Sequence, residues 1–195
     1  IKKIKPDVVL TYTIKPNIYG GIVCRIAKIP YIANITGLGS AVENGGLLKK
    51  LTLFLYKISL KKCSCVFFQN KDNESFFLSN KVISCNHKLI PGSGVNLDHY
   101  SLMEYPSDET INFLFIARIM KEKGIDQYLA AAEYIKTKYP NTVFHVIGPC
   151  EDSYEDRLMD MQKKGYIQYH GMQSDIKKFH KISHCTIHPS YYPEG

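Results

Sequence analysis

The sequence predicts an α/β protein of two Rossmann-like, doubly wound domains facing each other across a cleft. Three observations carry that expectation. Short apolar runs alternate with helical patterns along the chain, and the runs end abruptly in glycine, proline or charge. The alternation also pauses at a polar, proline-containing stretch, Tyr100 to Thr110, and then restarts. The expected domains are residues 1–105 and 106–195. The chain opens at Ile1 on what reads as a helix tail and stops at Gly195 just after a strand and loop, so it is expected to be truncated at both ends.

In the first half, Lys5-Pro6-Asp7 leads into a short buried strand, Val8 to Thr11, because the proline keeps its approach extended. Lys15-Pro16-Asn17 then opens a helix through Ile18, Ile22 and Ile26 to Lys28, with Pro30 behind it. A strand over Tyr31 to Asn34 runs into the glycine-rich loop Thr36 to Gly46, which serves equally for close approach to a ligand or as a plain connection. Cys65 to Gln69 reads as a buried strand, Asn70-Lys71-Asp72 as a cap, and Glu74 to Ser79 as a helix. Lys88 to Ile90 is a further strand that ends in the glycine turn Pro91 to Asn96.

Between these lies Leu47 to Lys62, an apolar and basic segment with no acid. Leu47, Leu51, Phe54, Leu55 and Ile58 share one helical face, and Lys49, Lys50, Lys57, Lys61 and Lys62 flank it. Two readings carry equal weight: a helix lying on an anionic membrane surface, or a core helix with a solvated basic edge.

The second half opens on the most informative stretch, Ile111 to Gly124. The run Ile111 to Ala117 is broken only by Asn112 and ended by Arg118 and a Lys-Glu-Lys-Gly cluster, as a buried parallel strand looks where it emerges. Ligands of open α/β sheets bind beyond the carboxyl ends of the strands, and the next helix turns unpaired N–H groups and a positive dipole end toward an anion. Arg118 and Lys123 would add two cations suited to a diphosphate, one able to fork onto two oxygens and one a mobile point charge. They read equally well as solvated strand-end residues. A helix follows through Ile125, Tyr128, Leu129, Ala132 and Ile135, then a strand Thr142 to Ile147 that ends at Gly148-Pro149. Helices over 153–164 and 175–183 and strands over 167–170 and 185–188 complete the pattern.

Composition narrows the partners. A hydrophobic share of 45% and a charged share of 22% describe an ordinary globular chain. The net charge of +7 suits a partner with phosphates. No zinc-finger, KH or aromatic RNP pattern supports nucleic acid, and no apolar run spans a bilayer. The 6 cysteines have no regular spacing and no signal sequence precedes them, which favours reduced packing thiols in a cytoplasmic setting; Cys63-Ser64-Cys65 is too close a pair to define a zinc site. With no Asp-x-Asp sequence either, neither metal nor cofactor is expected. His145, His184 and His188 sit in or beside apolar strands and read as core residues, none with a visible partner.

Six segments, KPNIYGG at Lys15 to Gly21, NITGLG at Asn34 to Gly39, FFQNKDNESFF at Phe67 to Phe77, IPGSGVN at Ile90 to Asn96, FIARIMKEKG at Phe115 to Gly124 and HPSYYPEG at His188 to Gly195, come in the order found in one family. The chain resembles the retaining glycosyltransferases of family four, which have the GT-B fold, and most of all the subgroup acting on undecaprenyl-diphosphate-linked saccharides in capsule, O-antigen or glycan assembly. The resemblance implies transfer of a sugar from a nucleotide-sugar, UDP-linked, to a lipid-linked saccharide by a protein that is cytoplasmic or peripheral on the inner face of the membrane.

It also implies roles. Arg118 and Lys123 would hold the donor diphosphate, and Glu194 would face the donor sugar as the first of two glutamates seven residues apart, the second falling past Gly195. Gly92, Gly94, Gly148, Gly171 and His170, the last near the nucleotide base, are further donor-side candidates; Lys15, Asn17, Gly37 and Gly39 are acceptor-side ones, although loop glycines serve structure as readily. The chain departs from the pattern twice: Thr36 stands where many members have histidine, and Asn96 replaces an aspartate that suits the same turn. Two other classes fit less well: a sugar-nucleotide epimerase of the same fold, whose acid/base groups are not evident, and a non-catalytic membrane-surface scaffold or inactive fragment.

Overall fold

The computed structural model describes residues 3–39, 42, 45–150 and 154–191. It divides into two compact units, one up to Val95 and one from Asn96. Each is built on a four-stranded, all-parallel sheet.

The first unit has β1 (Val9–Tyr12), a π-turn Pro16–Gly20 that continues as α1 (Gly21–Ala27), β2 (Tyr31–Ile35), α2 (Gly46–Leu60), β3 (Cys65–Phe68), α3 (Lys71–Ser79) and β4 (His87–Leu89). The strands lie in the order β1-β2-β3-β4. α1 stops at Lys28, which takes the left-handed conformation (φ 56°), two residues before Pro30. Asn70 caps α3 as expected, its side chain accepting from Asn73 N at 2.8 Å.

One expectation for this unit is corrected, and one of the two open readings of Leu47 to Lys62 is narrowed. β1 is not a buried strand: as an edge it leaves Leu10 55% and Tyr12 51% exposed, and only Thr11 is covered. α2 packs on the core through Thr52, Tyr56, Ser59 and Leu60, with Leu55 of the leucine face partly buried beside them. The reason is close helix approach. Gly21 of α1 sits so near Ser59 that a Cβ there would come within 3.2 Å of it, and the Tyr31 hydroxyl from β2 donates to the Ser59 carbonyl. Leu47, Leu48, Leu51 and Phe54 are left outside.

The second unit has β5 (Ile111–Ile116), a 3-10 turn (Lys121–Lys123), α4 (Ile125–Lys138), β6 (Thr142–Ile147), α5 (Glu155–Lys163), β7 (Gln168–Tyr169), α6 (Lys177–Ile182) and β8 (Cys185–Thr186). Its strand order is β7-β6-β5-β8. Alternation along the central strands feeds two layers. Phe115, Phe144 and Val146 pack with Tyr128, Leu129 and Ala132 of α4 and Leu158 and Met161 of α5; Leu114 and Ile147 pack with Phe179 of α6. The buried Tyr128 hydroxyl bridges the middle strands, its one hydrogen shared between Phe113 O (3.1 Å) and His145 O (2.9 Å).

Candidate functional site

β5 continues past Ile116 by two more backbone bonds, Ala117 N to Ile147 O (3.1 Å) and Ile119 N to Pro149 O (2.9 Å). Along this extension Ile119 is buried and Arg118 is exposed, so strand alternation turns the guanidinium out where the sheet ends. The chain then makes the 3-10 turn, bringing the partly buried Lys123 to the start of α4. Gly124 carries the reversal at φ 74° and, as the N-cap residue, has no side chain to offer the first turn of α4. Gly124 cannot gain a Cβ, because the Pro189 backbone lies against it, with the carbonyl carbon 2.6 Å from the Cβ position. Ser190 Oγ donates to Glu122 O at 3.2 Å, which ties the segment after β8 to the same turn. Asp126, the one acid in the first turn of α4, is paired with Arg157 and accepts from the Tyr154 hydroxyl at 3.0 Å, so its charge is answered on the α5 side.

Gly148 locks the neighbouring strand end. At φ 144° its backbone presses on the Ala117 carbonyl, leaving no room for a Cβ; its N–H donates to Gly171 O at 2.9 Å and its carbonyl accepts from the Tyr169 hydroxyl at 3.3 Å. Arg118, Lys123, Gly148, Gly171 and the Pro189-Ser190 segment are thus gathered at the carboxyl end of one sheet.

His170 belongs to the packing layer beneath. Its ring stacks near His145 and lies 4.7 Å from the Phe179 ring. A line of hydrogen bonds runs through this layer. Asn112 Oδ1 can only accept, so His145 Nε2 donates to it (3.0 Å) and His145 Nδ1 accepts from His170 Nε2 (3.0 Å). Asn112 N donates to His184 Nδ1 (3.0 Å), and His184 Nε2 donates to Ser107 O (3.1 Å). Burial, then the neighbouring His170, pushes His145 down to about 4; burial, then Lys178, lowers His170. Both rings are neutral at pH 7. The sequence offered no partner for these histidines, because the partners come from three strands and only the register brings them together. Asn112, the one polar residue inside the β5 run, was the available signal.

In the first unit the acceptor-side candidates also lie beyond strand ends. Lys15 is exposed, whereas Asn17 is fully buried and its amide donates to Asn34 O at 2.9 Å, bracing the π-turn against β2. Gly37 and Gly39 are in the loop after β2; Gly39 (φ 70°) is packed against Ile14, and a Cβ there would collide with that side chain. Gly92 (φ 81°) and Gly94 (φ 71°) follow β4 with open space around them. Asn96 forms the expected turn, Oδ1 accepting from Asp98 N (2.9 Å) and His99 N (3.2 Å). Glu194 lies outside the described residues. Among the described residues no three His, Cys, Asp or Glu side chains come together to hold a metal ion, and no helix is long and apolar enough to cross a membrane.

Two parallel Rossmann-like sheets, each with its loops gathered beyond the strand ends, are the architecture of the GT-B fold. Residues 104–195 match the family Glycosyl transferases group 1, and residues 1–70 match Glycosyl transferase 4-like. The two models match successive parts of the chain, which is thus similar to glycosyltransferases over most of its length and has their GT-B fold. A curated relative, the N,N'-diacetylbacillosaminyl-diphospho-undecaprenol alpha-1,3-N-acetylgalactosaminyltransferase of Campylobacter jejuni, is 26% identical over 98% of this chain and 54% of its own length. Among solved structures, Anabaena Alr3699/HepE in complex with UDP and glucose aligns with a TM-score of 0.76 and 17% identity over 99% of this chain and 55% of that one. Sucrose-phosphate synthase from Thermosynechococcus elongatus aligns with a TM-score of 0.69 and 18% identity over 100% and 53%. The chain spans about half the length of the curated relatives it matches.

Proposed function

We propose that the protein transfers a hexosyl or N-acetylhexosaminyl unit from a UDP-sugar to a lipid-linked saccharide, with retention of anomeric configuration. One observation carries the reading: Arg118 stands just past the end of β5, and Lys123 closes the turn that leads into the amino end of α4. Breaking the donor's glycosidic bond places negative charge on the departing diphosphate. The guanidinium, the ammonium and the first N–H groups of α4 are fixed beforehand where that charge grows, so they stabilise the transition state more than the ground state. They do so without an assigned metal. Glu194 orients the donor sugar hydroxyls, and the acceptor hydroxyl attacks from the face the diphosphate leaves. The relative from Campylobacter jejuni supports a polyprenyl-diphosphate-linked acceptor, and the UDP complex of HepE supports the nucleotide.

The exposed side of α2 supports a membrane-surface role for the first unit. Leu47 (83% exposed), Leu48 (57%), Leu51 (51%) and Phe54 (59%) face outward beside the exposed Lys50, Lys57, Lys61 and Lys62. Lys49 instead folds back over the Phe76 ring at 5.0 Å. On an anionic leaflet the leucines enter the interface and the four outward lysines meet the headgroups, which brings the enzyme to a lipid-linked acceptor at the inner face of the membrane.

The test is transfer of radiolabel from a panel of UDP-sugars to a polyprenyl-diphosphate-linked saccharide by the full-length protein, followed by anomeric assignment of the product by NMR. Arg118→Ala is expected to lower kcat/KM by about 10²–10⁴, the worth of about two charged hydrogen bonds of 1.5–3 kcal/mol each. Unchanged transfer by Arg118→Ala, or no transfer from any donor, refutes the reading.

A further inference from the structure

The turn from α2 into β3 and the segment from α3 into β4 run side by side. Val66 faces His87 in the parallel register, and Val66 N donates to Asn86 O at 2.9 Å. Carried back two residues, that register sets Ser64 beside Cys85, next to Cys63. Cys63 is 5% exposed and its thiol reaches Tyr31 O (3.5 Å) and Cys65 O (3.0 Å). Its side chain also interacts with that of Cys85, which packs against the same core cluster. Cys85 sits at the rim of that core and lines an open surface pocket of about 650 Å³ with Cys65, His87 and Lys88. One sulfur is therefore reachable from solvent, and the other is buried behind it.

We propose that Cys63 and Cys85 form a redox-active pair, in which a hydroperoxide oxidises Cys85 from the pocket and Cys63 then closes a disulfide. In the first step the Cys85 thiolate attacks one peroxide oxygen. The O–O bond breaks, Cys85 becomes a sulfenic acid, and the other oxygen leaves as hydroxide. In the second, the Cys63 sulfur displaces hydroxide from the sulfenic sulfur: the S–O bond breaks, the S–S bond forms, and the Cys63 proton leaves with that hydroxide as water. Two electrons pass from the thiols to the peroxide, and hydrogen peroxide ends as two waters.

The electrostatics assign the order. The neighbouring Cys63 above all, helped by backbone contacts and the nearby His87, draws the Cys85 thiol down to about 7 against the cost of burial. Cys63 is raised, first by the neighbouring Cys85 and then by burial, so it keeps its proton until Cys85 has been oxidised. Cross-linking would pin the segment entering β4 to the α2–β3 turn. Cys185, exposed on β8, is the internal comparison.

The experiment treats the full-length protein at pH 7.5 with graded hydrogen peroxide, blocks remaining thiols in denaturant, digests with trypsin without reduction, and maps linked peptides by mass spectrometry. Residues 63–71 are expected to appear joined to residues 82–88 before Cys185 is consumed, and still to do so in Cys65→Ser. Cys85→Ser should abolish the link and slow thiol loss in residues 63–71 by about tenfold, whereas Cys63→Ser should leave a sulfenic acid on Cys85 that dimedone captures. Oxidation of Cys185 ahead of the pair, or a link made through Cys65, overturns the proposal. Mapping of the unsubstituted protein decides the matter should either serine variant fail to fold.

Discussion

Gly148→Ala probes how the strand ends hold Arg118. A Cβ at this position meets the Ala117 carbonyl, 2.8 Å from its carbon and nearer still to its oxygen, and the backbone sits at φ 144°, where side-chain-bearing residues are strained. The conformation costs about 1–3 kcal/mol and forced overpacking about 1–3 kcal/mol more, for a total near 4 kcal/mol. At about 4–8 °C per kcal/mol for a unit of this size, the transition of the second unit should fall by roughly 16 °C or more. Gly171→Ala is the matched control. Its φ of 63° is also left-handed, but nothing stands within 4 Å of the Cβ position, so only about 1–2 kcal/mol is expected. With 14 tyrosines and no tryptophan, the protein is best followed by far-UV circular dichroism in heat and in urea. If Gly148→Ala proves no more damaging than Gly171→Ala, the close contact between β6 and the Ala117 peptide does not hold the site together.

Three further outcomes are expected. His145 is held near 4 in the folded chain against about 6.5 unfolded, so the unfolded state binds more protons between those values; its stabilisation is complete above pH 6.5 and lost as pH falls toward 4, about 3 kcal/mol in all. Urea midpoints from pH 7.5 to 4.5 should slope accordingly, and His145→Phe should remove most of the slope; an unaltered slope in that variant rejects the assignment. In sedimentation with vesicles, replacing Lys50, Lys57, Lys61 and Lys62 by glutamine should weaken binding to anionic lipid by up to about 10³, at roughly 1 kcal/mol per lysine. Equal binding to neutral phosphatidylcholine counts against the membrane role of α2. Asn96→Asp should leave stability within about 0.5 kcal/mol, because a carboxylate accepts the same two N–H groups, whereas Asn96→Ala should cost about 1 kcal/mol; a large loss in the aspartate variant would mean that the turn needs the amide.

What the sequence revealed, and what it concealed, follows from how local each cause is. The strand Thr142–Ile147 was readable to the residue because it is apolar throughout and stopped by Gly148-Pro149. The Asn70 cap was readable because its partner lies three residues on. Arg118 and Lys123 could be chosen because an apolar run that ends in charge marks where a buried strand meets solvent, a statement about the chain's own order. The core face of α2 could not be chosen. Periodicity shows that a helix has a leucine face, but which face packs is set by Gly21 and Ser59 letting two helices approach, and those residues are 38 apart in the chain. The histidine line and the Cys63–Cys85 contact were hidden for the same reason, since each is assembled by strand register and leaves no spacing in the sequence. Arg118 links the two kinds of information. Its identity was legible locally, but its placement depends on a glycine one strand away whose missing side chain makes room for the Ala117 carbonyl.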